Sequence, residues 1–109
     1  MSAARFIADN GITAIRMGSV VENTLDASHP GIIDYAIHNR SDFADIFLGA
    51  NCKFFLGDTG GLFGPAAIFG VPFAAVNLTP LRIAPRTSQD LFIPKKYRYS
   101  DNHKFLTIR

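Results

Sequence analysis

Lys53-Phe54-Phe55-Leu56-Gly57-Asp58-Thr59-Gly60-Gly61-Leu62 is the stretch that decides the fold. Its first half is a continuous apolar run closed by Gly57, the pattern of a strand covered on both faces, as in a parallel sheet. Its second half is a turn that opens into a helix over about Leu62 to Phe69. Pro65 limits where that helix starts, because proline is tolerated only in the first turn. Gly70 ends it. Val71-Pro72 then leads into Phe73-Ala74-Ala75-Val76-Asn77, a second buried strand.

The pattern extends upstream. Ser41 is a good N-cap for a helix, and Asp42 and Asp45 fall in its first turns, where acids favour the helix dipole. Phe43, Ile46, Phe47 and Ala50 follow the i, i+3, i+4, i+7 rule and predict one apolar face, with Asn51 as the end. Residues 41–77 therefore run helix, strand, helix, strand. That alternation implies an α/β fold with a parallel sheet and helices on its faces. Further toward the N-terminus, Ile32 to Ala36 and Ile12 to Met17 read as short strands, with a polar, irregular stretch over 19–30 between them. Residues 3–10 read as the last turns of a helix stopped by Asn10-Gly11. Beyond Asn77 the pattern fades. Thr79 to Asp90 reads as a loop, and 78–109 is a less regular segment containing β-like pieces at Asp90–Pro94 and Lys104–Ile108. Both ends read as truncated, so the expectation is a single partial domain over 1–109.

The turn Gly57 to Leu62 carries the chemistry. In open parallel sheets, ligands collect outside the carboxyl ends of the strands. A helix start adds unpaired N–H groups and a partial positive charge, both favourable to phosphate. Gly60 and Gly61 let the backbone approach a ligand and accept positive φ. Thr59 offers a hydroxyl to a phosphate oxygen or to the helix N-terminus. Asp58 repels an anion, so it either accepts from a sugar hydroxyl or fixes the turn. The turn is neither a Walker loop nor G-x-G-x-x-G, and a purely structural Gly-Gly turn fits it equally well.

Composition bounds the rest. Apolar residues are 48% of the 109 and charged residues 18%, enough for a core of ordered packing. The net charge of +2 does not point to a nucleic-acid partner. One cysteine, Cys52, excludes an internal disulfide framework. The N-terminus lacks the pattern of a signal peptide, and no run approaches 18 apolar residues, so the expectation is a cytoplasmic protein, at most peripheral to the inner membrane. His29, His38 and His103 form no metal-ligand spacing with Cys52, and G-x-S-x-G is absent.

Phe54 to Leu62, followed by Phe69-Gly70-Val71-Pro72 and Asn77, resembles the C-terminal donor-binding half of GT-B-type glycosyltransferases. The closer resemblance is to bacterial surface-carbohydrate glycosyltransferases. It is carried by Arg16-Met17-Gly18, Ile33-Asp34-Tyr35-Ala36, Ser41-Asp42, Asp45-Ile46-Phe47-Leu48, Asp90-Leu91-Phe92-Ile93-Pro94-Lys95 and Phe105-Leu106-Thr107. The resemblance implies a Rossmann-like parallel sheet and a nucleotide-sugar substrate with no cofactor. It also implies a carbohydrate or lipid-linked acceptor and an N-terminal lobe elsewhere in the same protein. Asp58, Thr59, Gly60, Gly61 and Leu62 would hold the donor diphosphate, with Arg16 and Gly18 beside them. Asp34 and Asn77 would contact a sugar or ribose.

The residues themselves leave alternatives. Arg16 fits a structural role as well as a phosphate, Asp34 a strand-end hydrogen bond, and Asn77 a loop cap. Phe63 and Gly64 stand where heptosyltransferase-like relatives place a His, so no catalytic residue carries over. Lys95, Lys96 and Arg98 interleave with Tyr97 and Tyr99 in a segment that fits a solvated loop, a stack on nucleic acid or a contact with acidic lipid. A nucleotide-sugar 2-epimerase-like enzyme and a non-catalytic fragment or binding module are the other readings.

Overall fold

The computed structural model describes residues 2–25, 28–80, 82 and 87–106. The architecture is mixed α/β with two small parallel sheets, and the chain divides into two compact units, Met1–Phe47 and Leu48–Arg109.

The first unit opens with α1, Ala3–Asp9. The Ser2 hydroxyl accepts from the Arg5 amide at 3.3 Å and caps the helix. Gly11, at φ +77°, stops it in the left-handed region that favours glycine. Two two-residue strands, β1 (Ala14–Ile15) and β2 (Ile32–Ile33), pair in parallel with Ala14 opposite Ile32. Both are shorter than the apolar runs that announce them. Past β2, the chain at Tyr35–Ile37 turns.

The helix α2, Asp42–Asn51, bridges the two units in sequence. Ser41 caps it, accepting from the Ala44 amide at 3.2 Å. Its orientation departs from the periodicity reading. Phe43, Ile46 and Phe47 are exposed, and Phe43 stacks on Phe47 with ring centroids 6.1 Å apart on the outside. The buried positions are Asp45 and Gly49. Asp45 takes hydrogen bonds from Arg40 Nη2 at 2.6 Å and from the Tyr35 hydroxyl at 3.1 Å. Gly49 lies against Pro65, where an added Cβ would come within 3.0 Å of the proline Cβ. In the first unit's part of the helix the carboxylate is anchored by a cation, and in the second unit's part the backbone makes a close approach. Hydrophobic periodicity reports neither.

The second unit holds β3 (Phe55–Gly57), α3 (Phe63–Ile68), β4 (Phe73–Leu78) and β5 (Leu91–Pro94). The three strands form one parallel sheet in the order β3-β4-β5, with Phe55 opposite Phe73 and Ala74 opposite Leu91. β4 is central and shows period-two burial: Phe73 and Ala75 are buried, with Ala74 and Val76 less so. Phe63 of α3 meets Phe73 edge to face at 4.8 Å, and Phe55 packs on the same cluster. Asp90 ties the start of β5 to the start of β4, accepting from the Phe73 amide at 3.1 Å. The covering is one-sided. Leu56 and all of β5 are exposed, so the continuous apolar run does not mark a strand buried on both faces. Beyond β5, Arg98 and Phe105 form an antiparallel bridge. Thr107 and Ile108, the end of the last β-like piece, lie outside the described residues, as do Leu81 and 83–86 of the Thr79–Asp90 loop.

Among the described residues Leu78 is the largest fully buried side chain, 1% exposed. Leu78→Ala removes its transfer energy and leaves a void, a cost of about 2–5 kcal/mol. Urea unfolding should show a midpoint lowered accordingly; an unchanged midpoint would mean that this cluster is not the core of the second unit.

Candidate functional site

Parallel pairing brings the carboxyl ends of β3, β4 and β5 to one rim, and the turn after β3 sits on it. Asp58 fixes that turn. Its Oδ1 accepts from the Gly60 amide at 3.0 Å, two residues on, and the side chain is exposed. The Phe63 and Gly64 amides close onto the carbonyls of Gly60 and Gly61, both at 3.1 Å. The amides of Gly61 and Leu62 make no hydrogen bond within the described residues. Gly60 and Gly61 keep ordinary φ, so the freedom to adopt positive φ expected of them is not used. Gly61 supplies room instead: a Cβ there would meet nothing within 4 Å.

The rim continues across the sheet. The Thr59 hydroxyl reaches the Thr79 carbonyl at 3.5 Å, just past the end of β4. The Thr79 hydroxyl shares a 2.9 Å hydrogen bond with the Tyr97 hydroxyl. Lys95 follows directly on β5, its amide bound to the Leu78 carbonyl at 3.1 Å and its ammonium 5.8 Å from the Tyr97 ring centroid. Two amide donors, three hydroxyls and one cation thus stand on one edge of a small sheet, the inventory from which oxyanion sites are made. Thr79, Lys95 and Tyr97 are the members that sequence reading did not assign to the site. The signal was there for Lys95: Asp90–Pro94 reads as a strand, and the residue after a strand in a parallel sheet lies on the ligand-bearing rim.

Asn77 lies near the same end of β4 but serves the backbone. It sits at φ +53° where the β4–β5 register shifts between Ala75 and Leu78, a conformation that asparagine tolerates better than most residues. Cys52 donates to the Gly49 carbonyl at 3.5 Å, and burial pushes its thiol pKa up. Among the described residues, no cluster of three or more His, Cys, Asp or Glu side chains is placed to hold a metal ion.

In the first unit, Arg16 and Asp34 face each other. Arg16 Nε and Nη2 reach the two carboxylate oxygens at 2.8 Å each, a bidentate pair, and Nη2 also donates to the Asn23 carbonyl at 2.9 Å. Asp34, almost fully buried, further accepts from the Leu25 amide at 2.8 Å. The pair clips the irregular 19–25 stretch to the strands, which is the structural alternative for both residues. Gly18 lies next to this clip, where an added Cβ would crowd Val21 at 3.1 Å.

Comparison with family models, curated proteins and solved structures gives no match. What can be said of function rests on the rim and its chemistry.

The hydrogen bonds from Arg16, then that from Leu25, hold the Asp34 carboxyl below its ordinary value of 3.8. A carboxyl whose pKa is depressed by folding stabilises the fold above its unfolded pKa. That contribution is lost as pH falls through the lower folded value. The melting temperature should therefore fall on acidification below about pH 4. In Asp34→Asn it should start lower at neutral pH and fall less steeply below that point. Parallel wild-type and variant curves in a circular-dichroism pH series would rule out the ion pair as an acid-labile clip.

Proposed function

We infer that the rim of the second unit binds the diphosphate of a nucleotide-sugar, and that the chain is the donor-binding part of a glycosyltransferase acting in bacterial surface polysaccharide synthesis. The observation that carries this reading is the exposed Gly60-Gly61 turn on the carboxyl edge of a parallel sheet. There the Gly61 and Leu62 amides have no hydrogen-bond partner among the described residues, and Lys95 stands along the same edge.

The division of labour follows from the geometry. The helix α3 has six residues, and so short a helix adds little dipole. Neutralisation of a diphosphate falls to the two amides and to Lys95. Arg16, expected beside the phosphate, is committed to Asp34 and is not part of this set. Gly61 lets phosphate oxygens approach the backbone, because no side chain occupies that space. Thr59, Thr79 and Tyr97 supply hydroxyls for the pyrophosphate or the ribose. Asp58 keeps the turn in shape through Gly60 and so coexists with an anion without facing it.

Holding the diphosphate lowers the barrier to sugar transfer, since the leaving group gathers negative charge as the glycosidic bond breaks. A carbohydrate or lipid-linked acceptor and the general base belong to the N-terminal lobe that the family resemblance implies. The reaction would take place in the cytoplasm, on the Rossmann-like lobe of a GT-B enzyme. Among the described residues of the rim the carboxylate, Asp58, is engaged with the Gly60 amide through Oδ1, which favours binding of the donor over an epimerase-type proton transfer on it.

Ligand-observed NMR with UDP, GDP and CMP tests the site on the full chain. At least one nucleotide should bind, and Lys95→Ala should weaken it about tenfold, the scale of one charge-assisted hydrogen bond. Gly61→Val should abolish binding while leaving the circular-dichroism spectrum intact, because its side chain enters open space. If none of the three binds, or binding survives Gly61→Val combined with Thr59→Ala, the donor site is misplaced.

A further inference from the structure

The segment after β5 carries charge out of proportion to its length. Residues 95–106 hold Lys95, Lys96, Arg98 and Lys104 against the single acid Asp101, so the rest of a chain whose net charge is +2 is slightly acidic. The segment folds back on itself. The Leu106 amide binds the Tyr97 carbonyl at 2.9 Å, and the Tyr99 amide binds the Lys104 carbonyl at 3.0 Å. Its side chains alternate between two groupings. Lys95 and Tyr97 associate with each other, and Tyr97 with Thr79 on the rim. Lys96 and Arg98 instead lie over the ring of Phe105, at 5.7 and 4.4 Å from its centroid. Pro94, Lys95, Lys96, Phe105 and Leu106 line a shallow recess of about 250 Å³. That is below the roughly 300–1,000 Å³ usual for a small-molecule pocket.

From this geometry we propose that the Lys96–Arg98–Phe105 face is a docking surface for an anionic lipid bilayer. The cations match the charge of acidic headgroups, and their charged heads, the Lys96 ammonium and the Arg98 guanidinium, are held side by side over the Phe105 ring. Tyr99, Phe105 and Leu106 are each about half exposed, at 50, 52 and 42%, which gives apolar contact at headgroup depth. Binding at a bilayer surface grows with the apolar area buried and with the attraction to anionic lipid, and this face offers both. Single-stranded nucleic acid is the lesser fit. Bases stack on open ring faces, whereas here Lys96 and Arg98 lie over Phe105 and Lys95 over Tyr97. The proposal is independent of the donor site, because Lys96, Arg98 and Phe105 take no part in it.

Co-sedimentation of the full chain with vesicles tests it. Vesicles containing one third phosphatidylglycerol should retain the protein, and vesicles of phosphatidylcholine alone should not. Raising salt from 0.1 to 1 M shortens the screening length from about 10 to about 3 Å and should release it. Lys96→Gln with Arg98→Gln should lower the partition coefficient roughly 30-fold, the effect of two cations at a charged surface. Phe105→Ser should weaken binding to the anionic vesicles further, and the wild-type salt series stands even if a variant folds poorly. Equal retention on both kinds of vesicle, no retention on either, or full retention by the folded double variant would overturn the proposal. So would displacement from anionic vesicles by an equal charge of single-stranded oligonucleotide.

Discussion

The parallel pairing of β4 with both of its neighbours is the constraint on which the second unit depends. Parallel strands point the same way, so every residue that follows a strand emerges at one edge. Had β5 paired antiparallel, Lys95 and Tyr97 would have left the sheet at the far end from Asp58–Leu62. With the observed pairing, Thr79 becomes a hub between the outer strands. Its carbonyl receives Thr59 from the β3 side, and its hydroxyl meets Tyr97 from the β5 side. The register shift at Asn77 belongs to the same scheme, since it lets the last residue of β4, Leu78, meet Pro94 and bind the Lys95 amide.

Buried carboxylates organise the first unit in a comparable way. Among its described residues Asp34 and Asp45 are buried and charged, and each is met by an arginine and by at least one further donor. Desolvating a carboxylate is costly, and good geometry with saturated hydrogen bonding is what offsets it. Both sites meet that condition. Such pairs contribute less to net stability than to specificity: they admit one arrangement of the chain, because removing either partner leaves a buried charge. Asp34 thereby fixes the 19–25 stretch, which has no regular structure of its own, and Asp45 fixes the rotation of α2.

These same interactions mark where the sequence was legible and where it was not. Element type and order from Ser41 to Asn77 could be read, because strand, turn and helix signals there are local: Ser41 as a cap, Pro65 in a first turn, Gly70 as a stop. The place of the Asp58–Leu62 turn, between β3 and α3, could be read for the same reason. The facing of α2 could not. Its apolar stripe of Phe43, Ile46 and Phe47 satisfies helical periodicity, yet Asp45 turns that stripe outward. The Arg16–Asp34 pair joins residues 18 apart in sequence, and no local pattern distinguishes an arginine so paired from one free to bind phosphate. Thr79 and Tyr97 are also 18 residues apart, and only the position of β5 in the sheet brings them together.

The stretch from Lys95 to Arg98 shows how strand-like alternation can serve two partners at once. Successive side chains of an extended backbone point to opposite sides, so the odd positions turn toward the Thr79 rim and the even positions toward Phe105. One cation then lies with the groups that would hold a diphosphate, and two lie with the exposed ring. A segment of uniform basic charge without this alternation would place all of its cations in competition for a single anion. The alternation separates them, and the antiparallel bridge between Arg98 and Phe105 brings the ring to the even side. A soluble donor on the rim and a charged surface under Phe105 could therefore be held together by one short length of chain, each by cations that the other does not use.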